Sequence, residues 1–205
     1  MTSARQTPAG SQQPPSARRE QLLELAYEFV KEHGLADMSL RPLASAIGSS
    51  PRVLLFLFGS KDELISEILR RARREELAFI GDHRAETGSG IAAVVERTWQ
   101  WLADPANRSL LILWTEAYGR SLTDPSGPWA GFAADTVRDW SELLAAAQSP
   151  DHRRSAAGAA ERTAALAALR GALLDLLATG DLERTTAAIN LVRRQLAPHG
   201  QARCR

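Results

Sequence analysis

Ser39-Leu-Arg-Pro-Leu-Ala-Ser-Ala-Ile-Gly-Ser-Ser-Pro-Arg-Val-Leu-Leu-Phe-Leu-Phe-Gly-Ser-Lys-Asp-Glu-Leu64 is the stretch whose reading decides the fold. It reads as two short helices, a tight turn between them, and the start of a third. Ser39 suits an N-cap, and Pro42 falls in the first turn, where a missing amide is tolerated; the cap bond is expected on Arg41. That helix runs to about Ile47, and Gly48 permits a sharp turn. Ser50 is the next N-cap candidate, with Pro51 at the first helical position, where its fixed backbone angle helps. A short helix from Pro51 to about Leu57 follows. Ser60 and Glu63 then have capping-box spacing, and Leu64, Ile65, Ile68 and Leu69 carry a further helix to about Ile80.

Upstream, residues 1–16 are rich in Pro, Ser, Gln and Gly and too poor in apolar side chains to offset the entropy of ordering, so a disordered arm is expected. From Ala17, Leu22, Leu25, Ala26, Phe29 and Val30 recur at helical spacing until Gly34. Downstream of a polar loop, Asp82–Gly90, helices are predicted at about 91–103, 106–121 and 129–148, then a loop at 149–157, then helices at 158–178 and 182–196. Gly180 ends the first of that last pair and Asp181 caps the second. No stretch alternates with period two. The expectation is an all-α chain of about nine helices. It divides into the arm (1–16), a helix-turn-helix domain (17–63), a larger domain for ligand binding and dimerisation (64–198) and a flexible tail (199–205).

Composition narrows the functional classes. The single cysteine, Cys204, cannot form a bridge within the chain, and 25 basic against 24 acidic side chains give no global signature of nucleic-acid binding. Any such role must rest on local motifs. No apolar run approaches the roughly 18–20 residues that span a bilayer, and residues 1–16 do not read as a signal peptide, so a cytoplasmic protein is expected.

Residues 39–64 resemble the helix-turn-helix of the TetR family. The match rests on Leu43-Ala44, the turn Gly48-x-Ser50, Leu54 and Phe58 as buried positions, and the Ser60-Lys-Asp-Glu-Leu64 start of the next helix. Residues 169–184 also look like the penultimate-helix segment of many members. The resemblance implies a homodimer whose N-terminal domains bind a palindromic DNA operator, and a C-terminal domain that takes a small effector. It departs at Leu55 and Phe56: members commonly carry a Tyr at the first of these positions, often touching a phosphate, with a His or aromatic next.

A recognition helix sets its N-terminal residues against base edges, which makes Arg52 the candidate base reader and Val53 and Phe56 candidates to meet a thymine methyl. Lys61 sits beside free helix N-terminal amides, where phosphate is favoured, and the resemblance assigns it that role. Ser39, Arg41, Ser50 and Pro51 are backbone-contact candidates. Arg18 and Arg19, where the arm meets the first helix, are candidates to reach phosphates or the minor groove. The run Arg70, Arg71, Arg73, Arg74 reads instead as a solvated, ion-paired face, given the acidic side chains around it.

In the larger domain, residues 109–118 are apolar nearly all round, which places that helix among others. Trp99, Trp114, Tyr118, Phe132 and Trp140 with Glu116 are the candidate pocket for a largely hydrophobic effector. Leu166, Leu169, Leu173 and Leu177 with Ile189, Val192 and Leu196 offer more apolar surface than a short helical hairpin covers, so they are the expected dimer interface. No metal site, cofactor or catalytic constellation is expected. Two alternatives remain on the residues alone. One is a helical dimeric interaction protein whose DNA-reading helix is degenerate, supported by Leu55 and Phe56. The other is a helical enzyme, for which no nucleophile or base assembles.

Overall fold

The computed structural model describes residues 15–35, 38–84 and 90–197. Most of the expected arm, the tail and part of the 82–90 loop lie outside the described residues. Ten α-helices follow in order: α1 Pro15–His33, α2 Leu40–Ala46, α3 Pro51–Phe58, α4 Lys61–Arg84, α5 Ile91–Ala103, α6 Arg108–Thr123, α7 Phe132–Ala146, α8 Pro150–Arg154, α9 Ala156–Thr179 and α10 Leu182–Leu196. A 3-10 turn, Pro105–Asn107, precedes α6. No strand occurs among the described residues.

Two differences from the sequence reading have local causes. The segment 149–157 is not all loop: Ser149 caps Pro150–Arg154 by accepting from the His152 amide, and Ser155 then caps α9 through Gly158. Two capping serines six residues apart turn the expected loop into a one-turn helix. α7 begins at Phe132 rather than at Trp129, because Gly131 adopts a left-handed conformation, φ 77°, that breaks the helical path.

Two hydrophobic cores organise the chain. The first is built by Leu22, Ala26, Tyr27 and Val30 of α1, Leu43 and Ala44 of α2, Leu54 and Phe58 of α3, and Leu64, Ile65 and Ile68 of α4, and it is closed from the other side by Leu110, Leu113 and Ala117 of α6. The second joins α5, α7, α9 and α10 with Leu111 of α6. α6 therefore belongs to both cores, as its apolar character demands. It is not fully enclosed, since Ile112 is 43% exposed.

Charged pairs fasten α1 to α4. Tyr27 Oη donates to Glu75 at 2.9 Å and Arg71 pairs with Glu24 at 2.7 Å. Burial first, and then the bond to Glu75, holds the Tyr27 phenol above its ordinary pKa, so it stays a donor.

The arginine run of α4 corrects the sequence reading. Arg70 and Arg71 do pair on the surface, with Glu67 and with Glu24 and Glu75. Arg73 instead turns inward, bonding Glu76 at 2.6 Å and Thr136 at 3.0 Å and pairing with Asp139 of α7. One guanidinium thus neutralises two largely buried carboxylates, and removing it would strand both. Arg73→Ala is expected to lower unfolding stability by about 3 kcal/mol in urea denaturation, whereas exposed Arg74→Ala should stay within about 0.5 kcal/mol.

Candidate nucleic-acid interface and effector cavity

The α2–α3 pair is shaped by its turn. Gly48 takes φ 65°, and the Ser49 amide reaches back to the Ala44 carbonyl at 2.8 Å. Ser50 then adopts an extended conformation and its Oγ accepts from the Val53 amide at 3.2 Å, with Pro51 at the first helical position. Ser39 also stands at an N-cap position, but its side chain makes no cap bond; the first turn of α2 closes through Leu43 N to Ser39 O. Pro42 removes one amide a cap would serve, and the expected bond to Arg41 does not form.

α3 is two-faced. Leu54 and Phe58 are buried, while Arg52, Val53, Leu55 and Phe56 face outward, Phe56 at 83% exposure and Leu55 at 41%. An aromatic that open to solvent next to two half-open aliphatics is a surface expected to be covered by something. Ser39 and Arg41 of α2 are exposed too. Beyond Gly59, α4 starts with an exposed Lys61 in its first turn, and the Ser60 hydroxyl accepts from the Glu63 amide at 3.0 Å. The reciprocal half of the capping box is absent, since the Ser60 amide bonds the Phe58 carbonyl. The Glu63 carboxylate instead lies against Gly59, φ 82°, where a Cβ would collide with it.

Arg18 and Arg19 lie in the first turns of α1, which begins at Pro15. Arg18 bonds Gln21 along its own helix at 2.7 Å. Arg19 pairs with Glu67 at 3.0 Å, donates to the Leu57 carbonyl at 3.3 Å and lies over the Phe58 ring, 4.9 Å from its centroid. It holds α1 against the end of α3. Partial burial works to raise the Glu67 carboxyl, but hydrogen bonds from Arg70 and Arg19 outweigh it and hold the group below its usual pKa.

The second site is a partly open cavity of about 30 Å³ in the larger domain. Its walls are Ala72 and Glu76 of α4, Thr98, Trp101 and Leu102 of α5, Leu110, Leu111 and Trp114 of α6, Trp140 of α7, and Leu166, Leu169, Arg170 and Leu173 of α9. Of the six residues proposed from sequence, Trp114 and Trp140 line it. Trp99 lies elsewhere, its Nε1 donating to Thr186 of α10 at 2.9 Å. Phe132 packs in the first core, Tyr118 stacks behind Trp114 at 5.1 Å, and Glu116 turns away to accept from the Leu35 amide at 2.8 Å. The side chain of Trp140 donates to Glu76, whose carboxyl is pushed up by burial against the opposing charge of Arg73.

The expected dimer face is corrected as well. Leu166, Leu169, Leu173 and Ile189 are interior residues of the second core, and Leu177 and Leu196 pack against it. α10 lies on α5 as well as on α9, fastened by Arg193 to Glu96 and by Trp99 to Thr186, so α5 covers the surface that the hairpin alone leaves open. Val192 is half-buried at the α9–α10 groove.

Sequence reasoning missed Glu76 and Arg170 as cavity residues. Both occupy apolar stripes: Glu76 continues Ile65, Leu69 and Ala72 at spacings of three and four, and Arg170 stands between Leu166 and Leu173. A charge at an inward position is the signal that identifies them.

These features define a class: an all-helical chain in which a helix-turn-helix is carried on a larger helical domain with an aromatic-lined cavity. Residues 22–68 match the model of bacterial regulatory proteins of the tetR family. The N-terminal part of the chain is thus similar to the helix-turn-helix domain of that family, and the chain shares its fold with solved TetR-type regulators. A curated relative, the HTH-type transcriptional regulator BetI of Stenotrophomonas maltophilia, is 26% identical over 112 residues, 53% of this chain. That match spans 56% of the relative's own length.

Among solved structures, the multidrug binding protein EbrR complexed with ethidium shares 22% identity, with 87% of this chain and 98% of that one covered and a TM-score of 0.67. A TetR transcription regulator from Haloarcula marismortui shares 17%, covering 88% and 97%, at a TM-score of 0.70. At these identities the likeness concerns the fold.

The two faces of α3 predict opposite responses to truncation. Phe58→Ala should cost about 3–5 kcal/mol in thermal or urea unfolding, while Phe56→Ala should change stability by no more than about 0.5 kcal/mol.

Proposed function

We propose that the chain is a DNA-binding transcriptional regulator of the TetR type. In this reading it is a cytoplasmic repressor that binds a palindromic operator as a homodimer and is released by a small, largely hydrophobic ligand. The observation that carries the proposal is the presentation of α3, with Arg52 exposed at its N-terminal end while Leu54 and Phe58 anchor the opposite face. A guanidinium placed there can make a bidentate contact to guanine O6 and N7, and Val53 or Phe56 can meet a thymine methyl. Lys61, with the amides that open α4, is suited to a phosphate, and Ser39, Arg41, Ser50 and Pro51 border the same helices. Arg18, bonded only along its own helix surface, stays a candidate for phosphate contact, whereas Arg19 would have to exchange its Glu67 partner to reach one.

The homodimer is assigned to the outer faces of α9 and α10. Ala160, Ala164, Ala167, Gly171 and Leu174 form an exposed uncharged stripe on α9, with Leu174 at 49% exposure and Leu191 of α10 at 53%. Small residues let helices of two copies approach closely, and a two-fold axis there would set the recognition helices about one DNA turn, roughly 34–36 Å, apart. The aromatic cavity is assigned to the effector. Ethidium, proflavin and imidazole in complex with EbrR are precedents for small molecules held by this fold. The present volume is far below the roughly 300 Å³ of an ordinary ligand site, so an effector must displace wall side chains, and its preference for the opened arrangement is what would shift DNA affinity.

Binding to the DNA flanking the chain's own gene, measured at several salt concentrations, tests the reading. Arg52→Ala should relax base preference with a loss of about 1–3 kcal/mol on the preferred site. Lys61→Ala should weaken all sequences alike and flatten the salt slope by about one unit. A parent protein with no sequence preference would favour a protein-interaction role for the apolar surface of α3.

A further inference from the structure

The two charged walls of the cavity differ in how well they are satisfied. Glu76 has its partners: Arg73 at 2.6 Å on one oxygen and the Trp140 indole on the other. Arg170, across on α9, does not. Its Nε and Nη2 are buried without a hydrogen-bond partner although the residue as a whole is only partly buried, and its guanidinium lies over the face of Tyr118, 5.1 Å from the ring centroid. The Trp114 Nε1 is also buried, and it is turned toward the Glu76 carboxylate. The remaining lining is apolar and aromatic, including Leu111, Leu166 and Trp101.

Burying a donor without an acceptor costs free energy, and for a cation the cost is larger. Ring contact with Tyr118 offsets part of it but supplies no acceptor for N–H groups lying in the guanidinium plane. The missing component is a negatively charged oxygen pair of the width that a guanidinium fork accepts. We infer that this cavity recognises hydrophobic acids: a carboxylate bound by Arg170, with an alkyl or aromatic body among the leucines and tryptophans. Glu76 is held by Arg73 and Trp140, so its wall is already neutralised and does not call for a cation. This rests on reading the cavity as the effector site, but it is tested without DNA, so its failure and a failure of operator binding are separate results.

The experiment is calorimetric or tryptophan-fluorescence titration of the full chain with matched probes: 2-naphthoic acid against 2-naphthalenemethanol, dodecanoate against dodecanol, and ethidium as a cation. The parent should bind each acid at least tenfold more tightly than its alcohol. Arg170→Met keeps an apolar stem and removes the charge; it should abolish that preference while leaving alcohol binding within about twofold, and Arg170→Lys should retain part of it. Equal affinity for acid and alcohol, no binding of either acid, or binding of ethidium alone would overturn the assignment. The acid-to-alcohol ratio is read on the parent protein, so it decides the matter even where Arg170→Met fails to fold.

Discussion

One continuous helix sets the terms for the whole molecule. α4 is 24 residues long, about 36 Å at the usual helical rise. Its first turns carry Leu64, Ile65 and Ile68 into the core that holds α3, and its middle brings Ala72 and Glu76 to the cavity wall. A straight helix transmits displacement because its backbone hydrogen bonds resist bending. In the proposed switch, a ligand that opens the cavity against α4 would therefore act on the platform that carries α3. α6 is the second link, sharing residues with both cores and reaching α1 where Glu116 accepts from the Leu35 amide.

The polar contacts along α4 explain how the two halves stay in register. Outside, Arg71 and Glu75 tie it to α1 through Glu24 and Tyr27; inside, Arg73 ties it to α7 through Asp139. The surface pairs contribute little individually. The inner group is different, since two carboxylates share one guanidinium away from water and none of the three tolerates loss of its partner. These contacts fix orientation where apolar packing alone would let α4 slide.

The α2–α3 hairpin was legible in the sequence because its signals are local: Gly48 at a positive φ, Ser50 as a cap and Pro51 behind it act within a few residues. The outward set of α3 was legible too, since eight residues of helix leave few ways to bury Leu54 and Phe58 together. What was not legible depended on contacts distant in sequence. Leu166, Leu169 and Leu173 read as surplus apolar surface because nothing in the α9–α10 hairpin shows that α5 and α7 lie against it. Glu116 sat among aromatics by spacing yet turned toward an amide 81 residues away. Arg73 looked solvated until α7 supplied Asp139 and Thr136. Local punctuation can be read from one chain segment; the choice of partner across the core cannot.

The central claim is that the open face of α3 is the surface that meets DNA. Hydroxyl-radical labelling of side chains, with and without the DNA flanking the gene, tests it directly by following Phe56, the most exposed large apolar residue of the helix. Labelling of Phe56 should fall several-fold when DNA is bound, while buried Phe58 stays unreactive in both states. A Phe56 that reacts equally in the free and the DNA-bound protein would contradict the account.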